Sequence, residues 1–308
     1  MIVTPMDILQ NYPIRKSKIH KARFRDDVQG YCESLGYPVA IEKGSMGVRN
    51  VVIGDPANAK YLITAHYDTC AHMFFPNFIT PCNFWAFLIY QILLTGVMIG
   101  LPAIPGALVG YWTNSFDIGY LTWYILFWGV LALMMFGPAN KQNANDNTSG
   151  VITLLEIAKS LPECHRDKVC FVLFDLEEAG LLGSAAYRKL HKQHTDQQVI
   201  LNLDCIGDGN EIVMFPTKKL QKDHEKLRRI EKITQICGEK QLSLHKKGFA
   251  FCPSDQQNFP YAVGIMAFHK HEILGLYCSR IHTNRDTILE ITNVNILRAA
   301  ITTLICQN

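Results

Sequence analysis

The sequence predicts an α/β protein with a central, mostly parallel sheet flanked by helices, into which an apolar helical hairpin is inserted. Three observations lead to this prediction. Short apolar runs alternate with stretches of helical periodicity, and several of these runs are followed directly by histidine, aspartate or glutamate, which can bind metals. Two further apolar stretches are long enough to form helices of about 18 residues. The chain has 308 residues, 48% of them apolar, which is enough for one large core.

Composition excludes several classes of protein. The net charge of +3 is small and evenly spread, so we expect no nucleic-acid partner. Ten cysteines are scattered without CxxC spacing, which favours buried thiols in a reducing compartment. Residues 1–18 contain no apolar segment of the kind found in cleavable signal peptides, so the sequence predicts no such peptide here.

The first third of the chain predicts one helix and two strands. Residues 19–35 have helical spacing, and residues 51–54 and 61–65 read as strands. The second strand runs directly into His66 and Asp68. An imidazole beside a carboxylate at a strand end is typical of a metal ligand, although a histidine packed beneath a loop is the alternative.

A long apolar insert follows, which we bound at 76–137. Between 61 and 140 the chain has no lysine or arginine, and its apolar runs at 84–101 and 118–136 approach the ~20 residues that cross a bilayer. Residues 102–117 are predicted as a turn-rich connector. The pattern favours a hairpin that crosses a membrane and returns; the alternative is two buried helices that form a lid or a dimer interface. The remaining segments, 1–75 and 138–308, would form the α/β domain.

The second half places further polar residues after predicted strands. Asp146 lies in a loop before the helical pattern 151–161. The strand 169–174 leads to Glu177 and Glu178, and the strand 199–203 leads to Asp204. Two adjacent carboxylates can divide metal binding and proton transfer between them, or simply form a solvated acidic loop.

The C-terminal third completes the pattern. Residues 220–241 predict a charged surface helix and 262–268 a strand, while His282 lies in the loop 280–287 before a closing helix. Ligands in open α/β sheets gather beyond the carboxyl ends of the strands, so these residues are candidates for one site.

Seven motifs occur in one order along the chain. They are Ala65-His66-Tyr67-Asp68, Asp146-Asn147-x-Ser149-Gly150, Phe174-Asp175-x-Glu177-Glu178, Gly183-Ser184-x-x-Tyr187, Asn202-x-Asp204, Ser254-Asp255 and Ile281-His282-Thr283-x-x-Asp286-Thr287. In these motifs the chain resembles the co-catalytic di-zinc aminopeptidases, relatives of bacterial leucyl aminopeptidase, glutamate carboxypeptidase and glutaminyl cyclase. The resemblance covers nearly everything except the insert and implies a zinc-exopeptidase fold with a mixed sheet.

The resemblance also implies roles for residues and two zinc ions as cofactors. His66 and Asp204 would bind one zinc ion, Glu178 and His282 the other, and Asp146 would bridge them. Glu177 would be the general base, and Asp68 would orient His66. Carboxylate and imidazole ligands suit zinc on chemical grounds as well.

The activity implied is hydrolysis of peptide or amide bonds, by an aminopeptidase acting on peptides or on apolar or N-acyl amino acid substrates. A glutaminyl cyclase-like acyltransferase and a catalytically dead, membrane-anchored binding protein are the alternatives. The insert would add a lipid bilayer as partner. Because lysine and arginine fall outside the insert, the positive-inside rule predicts a membrane protein with its catalytic domain in the cytoplasm.

Two details depart from the family pattern. The insert lies between Asp68 and Asp146, where relatives need only a short loop. Phe251 stands where some relatives have a tyrosine that supports the oxyanion, so Tyr261 or Tyr277 is a candidate for that role. Cys70 lies close to the predicted ligands but is interpreted as a small buried group.

Overall fold

The structure, a computed structural model, describes residues 2–75, 77–235, 240 and 242–307. Within them one sheet has nine strands: β1 Val39–Lys43, β2 Arg49–Ile53, β3 Tyr61–His66, β4 Val169–Phe174, β5 Val199–Leu203, β6 Glu211–Pro216, β7 Leu242–Leu244, β8 Ala262–His271 and β9 Gly275–Tyr277. The helices are α1 Asp7–Asn11, α2 Lys18–Ser34, α3 Phe84–Thr113, α4 Phe116–Phe136, α5 Gly150–Ser160, α6 Leu182–Leu190, α7 Lys192–Thr195, α8 Lys218–Lys222, α9 His224–Glu231 and α10 Ile291–Gln307.

The sheet is mixed, with a parallel centre. Its strand order is β1-β2-β4-β3-β5-β8-β6-β7, and β9 pairs with the end of β8. The central strands β4, β3, β5 and β8 are parallel, whereas β1, β2 and β6 are paired antiparallel to neighbours. The predicted fold class, a mixed α/β sheet flanked by helices, is confirmed.

The two faces of the central strands pack into separate clusters. Along β4, Val169, Phe171 and Leu173 face the cluster that contains α5 and α10. The intervening residues Cys170 and Val172 join a second cluster on the other face. Because both faces are covered, β3 and β4 are buried at every position, which explains why they read as continuous apolar runs.

The insert forms a hairpin, but its predicted connector is wrong. The helix α3 does not end near 101; it continues through Pro102 and Pro105 to Thr113, and only two residues link it to α4. Proline removes a backbone donor from a helix and usually ends or kinks it, but prolines occur more often in helices that cross membranes. Close to these prolines, the indole nitrogen of Trp123 on α4 donates to the carbonyl of Ile99, 3.1 Å away, and ties the two arms together.

The two arms pack tightly on each other. A Cβ atom added at Gly119 would lie 2.8 Å from the carbonyl oxygen of Gly106 and 2.9 Å from the Cα of Gly110, so glycine permits this approach. The sides of the arms that face away from each other are exposed. In an apolar stretch of 18 residues, only 17% of α3 and 6% of α4 is buried. Both helices are long and apolar enough to cross a membrane.

The predicted helix at 220–241 is divided in the structure. Asp223 separates α8 from α9, because its side chain accepts a hydrogen bond from the N–H of Lys226 and begins a new helix. A short turn, Lys232–Gln235, follows α9. The rest of that prediction, at 236–239 and 241, lies outside the described residues.

Candidate metal centre

The seven predicted site residues meet at the carboxyl edge of the central strands. His66 ends β3, Glu177 and Glu178 follow β4, and Asp204 follows β5. The parallel register places these ends side by side, with His66 opposite Phe174. The remaining residues come from loops: Asp68 after β3, Asp146 in the irregular turn Ala144–Ser149, and His282 after β9.

Asp146 lies between the two histidines. Its Oδ1 atom is 3.2 Å from Nε2 of His66, and its Oδ2 atom is 2.9 Å from Nε2 of His282. One carboxylate therefore presents a separate oxygen to each imidazole. This is the arrangement that a carboxylate bridging two cations requires.

Each histidine also faces a further carboxylate. Nε2 of His66 is 3.5 Å from Oδ1 of Asp204, and Nε2 of His282 is 3.4 Å from Oε2 of Glu178. Potential ligand atoms of His66, Glu177 and Asp204 lie within 4.8 Å of one another. The site thus divides into two adjoining halves, one around each imidazole.

Asp68 positions the acidic loop as well as the imidazole. Its two carboxylate oxygens accept the backbone N–H groups of Glu177 and Glu178, at 3.0 and 3.2 Å. Its Oδ1 atom is 3.6 Å from Nδ1 of His66, while the backbone oxygen of Asp68 is nearer, at 3.2 Å. The predicted orienting role therefore falls on both the backbone and the side chain of Asp68.

Asp286 and Asn147 hold the turn that presents Asp146. The carboxylate of Asp286 accepts the backbone N–H groups of Asn145 and Asp146, at 2.7 and 3.0 Å. The side chain of Asn147 donates to the carbonyl of Leu203 at 2.9 Å, which ties the turn to the strand that leads to Asp204. The peptide bond between Asp146 and Asn147 is cis. Asn147 and Asp286 belong to the motifs found in the sequence, but their supporting role was not predicted.

Arg15 lies beneath the centre and was missed from the sequence. Its side chain is fully buried and donates to the carbonyls of Tyr12 and Tyr67, both at 2.5 Å, and to the hydroxyl of Thr148 at 3.0 Å. It therefore joins the N-terminal segment to the loops that carry Asp68 and Asp146. No local pattern around Arg15 distinguishes it from exposed basic neighbours such as Lys18 and Arg23.

The centre concentrates buried negative charge. Burial raises the pKa of Glu178 to about 7 and that of Glu177 well above its ordinary value. For His282, burial favours the neutral ring, but the charge of Glu178 and the hydrogen bond that the ring donates to Asp146 outweigh it and raise the pKa to about 9. Glu177, Glu178 and His282 thus hold protons that cations would replace. For Asp146, the effect of burial is outweighed by the two histidines, which lower its pKa.

The available donor atoms fit divalent metal ions. Oε1 of Glu178 and Oδ1 of Asp204 are buried and have no hydrogen-bond partner among the described residues. Buried polar atoms are normally bonded, so these oxygens call for a ligand. Imidazole nitrogens and carboxylate oxygens are common zinc ligands, and this set resembles a site for zinc rather than for Ca²⁺.

Cys70, which was predicted to be a small buried group, lies next to the candidate metal ligands. Its sulfur is within 4.8 Å of ligand atoms of Glu178 and His282. Burial raises the pKa of the thiol well above its ordinary value, so the sulfur stays protonated. It is 3.5 Å from Oδ1 of Asn143, to which it donates.

The three aromatic residues considered for the oxyanion position lie in different parts of the structure. The ring of Phe251 packs on Phe87 of α3, with centroids 4.8 Å apart. Tyr261 precedes β8, whose first residue pairs with Ile200, and this places it at the edge of the sheet opposite to the metal ligands; that candidate is wrong. Tyr277 contacts Phe78, with centroids 5.9 Å apart.

The fold is the one found in zinc exopeptidases and related proteins of known structure. A Zn-dependent exopeptidase from Parabacteroides distasonis superposes with a TM-score of 0.61 at 14% identity, covering 99% of this chain and 97% of that one. The LapA aminopeptidase of Legionella pneumophila gives 0.60 at 12% identity, covering 99% and 70%. A glutaminyl cyclase from Porphyromonas gingivalis gives 0.57 at 15% identity, covering 99% and 97%.

The sequence itself carries the assignment further. Aminopeptidase YwaD of Bacillus subtilis (strain 168) is 42% identical over 67 residues, which are 21% of this chain and 15% of that protein. The profile of peptidase family M28 matches residues 130–305, more than half of the chain. The chain belongs to peptidase family M28, and the predicted relationship is confirmed. The matched segment contains every predicted ligand except His66, which precedes the insert.

Proposed function

We propose that this protein is a metal-dependent aminopeptidase or amidase that binds two zinc ions. The position of Asp146, with one carboxylate oxygen directed at each histidine, is the observation that carries the proposal. His66 and Asp204 would hold one ion, and Glu178 and His282 the other. The buried oxygens without partners on Glu178 and Asp204 support this division.

The residues around the ions would perform the proton transfers. Zinc ions bound here would lower the pKa of a water molecule and polarise the carbonyl of the scissile bond. Glu177 would accept the proton of that water and deliver it to the leaving amine. Asp68 would hold Glu177 in place through the backbone N–H bond of 3.0 Å. Arg15 and Asp286 would hold the turn that carries Asp146 in position through their hydrogen bonds.

Two alternative functions are a catalytically dead binding protein and a glutaminyl cyclase. A dead binding protein would be expected to have lost ligands, whereas here all five ligand residues and Glu177 converge. A glutaminyl cyclase shares the fold, so the fold alone does not separate cyclisation from hydrolysis.

The test combines metal content with a substrate screen. We expect two zinc ions per chain by elemental analysis, and hydrolysis of aminoacyl or N-acyl amides that chelation abolishes and zinc restores. An N-terminal glutaminyl peptide should not be cyclised. Full activity in protein that contains no metal would refute the proposal.

We further propose that residues 76–137 anchor the catalytic domain, formed by 1–75 and 138–308, in a membrane. The helix α4 has 21 residues and is about 31 Å long, which matches a hydrocarbon core of about 30 Å. The helix α3 has 30 residues and is longer by about 13 Å. Its first turns extend into the domain, where Phe87 contacts Phe251.

Exposed apolar side chains surround the foot of the hairpin, meaning the region where α3 begins and α4 ends. Ile19, Phe74, Phe251 and Ile273 are 80%, 76%, 44% and 81% exposed. All four belong to segments that contact the foot. The amide of Asn83 donates to the carbonyl of Ile273 at 3.2 Å, and the ring of Phe251 contacts that of Phe87. Near Ile19 in the chain, Lys16 contacts Met135, and near Phe74, His72 contacts Pro138. Exposed apolar residues of this kind mark membrane or protein contacts, and their continuity with the hairpin favours a membrane.

The aromatic residues fit the same orientation. Tyr111, Trp112 and Phe116 lie at the far turn and are strongly exposed, as expected at a second membrane interface. Since lysine and arginine are absent from 61–140 and Lys141 follows α4 closely, the domain would face the cytoplasm.

Fractionation tests the anchor. We expect the protein in the membrane pellet after a high-salt or carbonate wash, and in solution only with detergent. A variant in which a short Gly/Ser linker replaces 84–136 should move to the supernatant and keep its zinc. Recovery of the intact chain as a soluble monomer or dimer would rule out the membrane anchor and leave the metal proposal untouched.

A further inference from the structure

A cavity of about 440 Å³ lies between the metal centre and the foot of the hairpin. Its inner end is formed by Asp68 and Glu178, and its outer end by Met135 and Phe136 at the end of α4. Its volume lies in the range of small-molecule sites, roughly 300–1,000 Å³. The cavity therefore runs from Glu178, one of the five proposed ligands, to the surface from which the hairpin leaves the domain.

The walls of this cavity are largely apolar. Besides Met135 and Phe136, they include Leu176, Ala179 and Ala139. Phe136 is 76% exposed, so it forms part of an open mouth rather than a closed end. An apolar passage that opens beside a membrane-embedded helix is accessible to a chain that already lies in the lipid.

The N-terminal segment closes the opposite side. The Nζ atom of Lys16 donates to the carbonyl of Met135 at 2.7 Å, which fixes this segment to the last turn of α4. His20 and Lys21 also line the cavity, and Lys21 is paired with the carboxylate of Asp175 at 2.6 Å. Lys21 is buried and neutralised by this pair, so Lys16 and the exposed His20 are the polar groups at the mouth, where α4 would leave the membrane and lipid headgroups would lie.

We propose that this cavity binds the apolar chain of an amphiphilic amide substrate that enters from the lipid. The chain would lie along Met135, Phe136 and Leu176 on the carbonyl side of the bond to be cleaved, which would sit near Glu178. The inference rests on the proposed hydrolase activity and adds its substrate class: amides whose acyl part carries a long apolar chain.

The experiment measures chain-length dependence with the full-length, zinc-loaded protein in lipid nanodiscs. One substrate set runs from alanyl to 2-aminodecanoyl 4-nitroanilide, and a parallel set from N-acetyl to N-decanoyl glycine. We expect kcat/KM in the preferred set to rise about fourfold per added methylene until the cavity is full, the factor that corresponds to about 0.8 kcal/mol.

A variant that narrows the cavity separates the cavity from simple partitioning into lipid. Ala139→Leu adds three carbons to the wall, and Ala185→Leu adds them at an exposed position on α6. We expect Ala139→Leu to lower the ratio of long-chain to short-chain kcat/KM by roughly 10- to 60-fold. The control should keep the wild-type ratio, because partitioning affects both variants equally.

The outcomes distinguish this inference from the proposed function. A flat chain-length dependence, or equal ratios in the two variants, would overturn the inference while hydrolysis stands. If the zinc-loaded protein hydrolyses none of these substrates, the activity proposal fails instead. Binding of dansylated undecanoic acid to zinc-free protein then decides: weaker binding in Ala139→Leu than in Ala185→Leu supports the cavity, and equal binding refutes it.

Discussion

Replacement of Glu177 by glutamine isolates proton transfer from metal binding. Glutamine has nearly the same size and leaves the backbone N–H of residue 177 bonded to Asp68 at 3.0 Å. The five proposed ligands are His66, Asp146, Glu178, Asp204 and His282, and none of them changes. The variant should therefore fold and bind metal like the wild type.

The expected loss of rate follows from the removal of the base. General-base catalysis contributes about 10²- to 10⁴-fold, which equals roughly 2.7–5.4 kcal/mol of barrier. Burial raises the pKa of Glu177 well above its ordinary value in the metal-free protein, which shows how closely its charge is enclosed. We expect kcat to fall by this factor while KM changes little, because the residue acts on water rather than on the bound substrate.

The assay pairs steady-state hydrolysis with zinc analysis of the same sample. Glu163→Gln is the matched control, since the side chain of Glu163 is 88% exposed and outside the centre; it should retain wild-type activity. Activity of Glu177→Gln within tenfold of the wild type would refute the assignment of the base. Loss of one zinc equivalent would show that Glu177 is a ligand, because a carboxylate oxygen of Glu177 lies within 4.8 Å of His66 and Asp204.

Three further predictions concern the surroundings of the centre. Arg15→Met should destabilise the protein by a few kcal/mol, because each buried acceptor that loses its donor costs about 1–3 kcal/mol; thermal unfolding in detergent should show this loss, and the exposed Arg23→Met should not. Cys70→Ser should keep both zinc ions and activity within several-fold, since the protonated thiol is not a proposed ligand; a fall in zinc content would contradict this. Gly119→Val should separate the arms of the hairpin and lower its melting temperature or yield, because its Cβ would meet backbone at 2.8 Å, whereas Gly129→Val, which meets nothing within 4 Å, should be tolerated.

The sequence predicted the core of the site because the geometry of parallel strands supplies the missing distances. His66, Glu178 and Asp204 each follow a central strand, and the carboxyl ends of such strands lie at one edge of the sheet. The order of residues along the chain is then sufficient to bring them together. His282 and Asp146 lie in loops, so their position along the chain made them candidates for the site, and the resemblance to relatives assigned their roles.

The supporting groups were out of reach for a physical reason. Arg15 acts through contacts with residues more than fifty and more than one hundred positions away, Tyr67 and Thr148. The carboxylate of Asp286 bonds a turn 140 positions earlier in the chain. Such partners leave no periodic signal in the sequence. The end of α3 was predicted wrongly for a different reason. Local proline chemistry predicts a break, whereas α3 continues through Pro102 and Pro105 and packs along α4.

The way in which the insert joins the domain explains how a long hairpin can lie between two segments that contribute to one site. Its two ends are held together by an antiparallel bridge between Ala71 and Ala139, and by hydrogen bonds from Asn140 to the carbonyl of Cys70 and from His72 to that of Pro138, at 3.2 and 2.8 Å. The chain therefore leaves and re-enters the domain at nearly one point, as a short loop would. Because the ends meet, the insertion leaves the spacing of His66 and Asp146 unchanged, and since the entropy of closing a loop grows slowly with its length, it costs little stability. The same junction lies beside Ala139 in the wall of the cavity, so the fold itself sets the position of the candidate site relative to the hairpin.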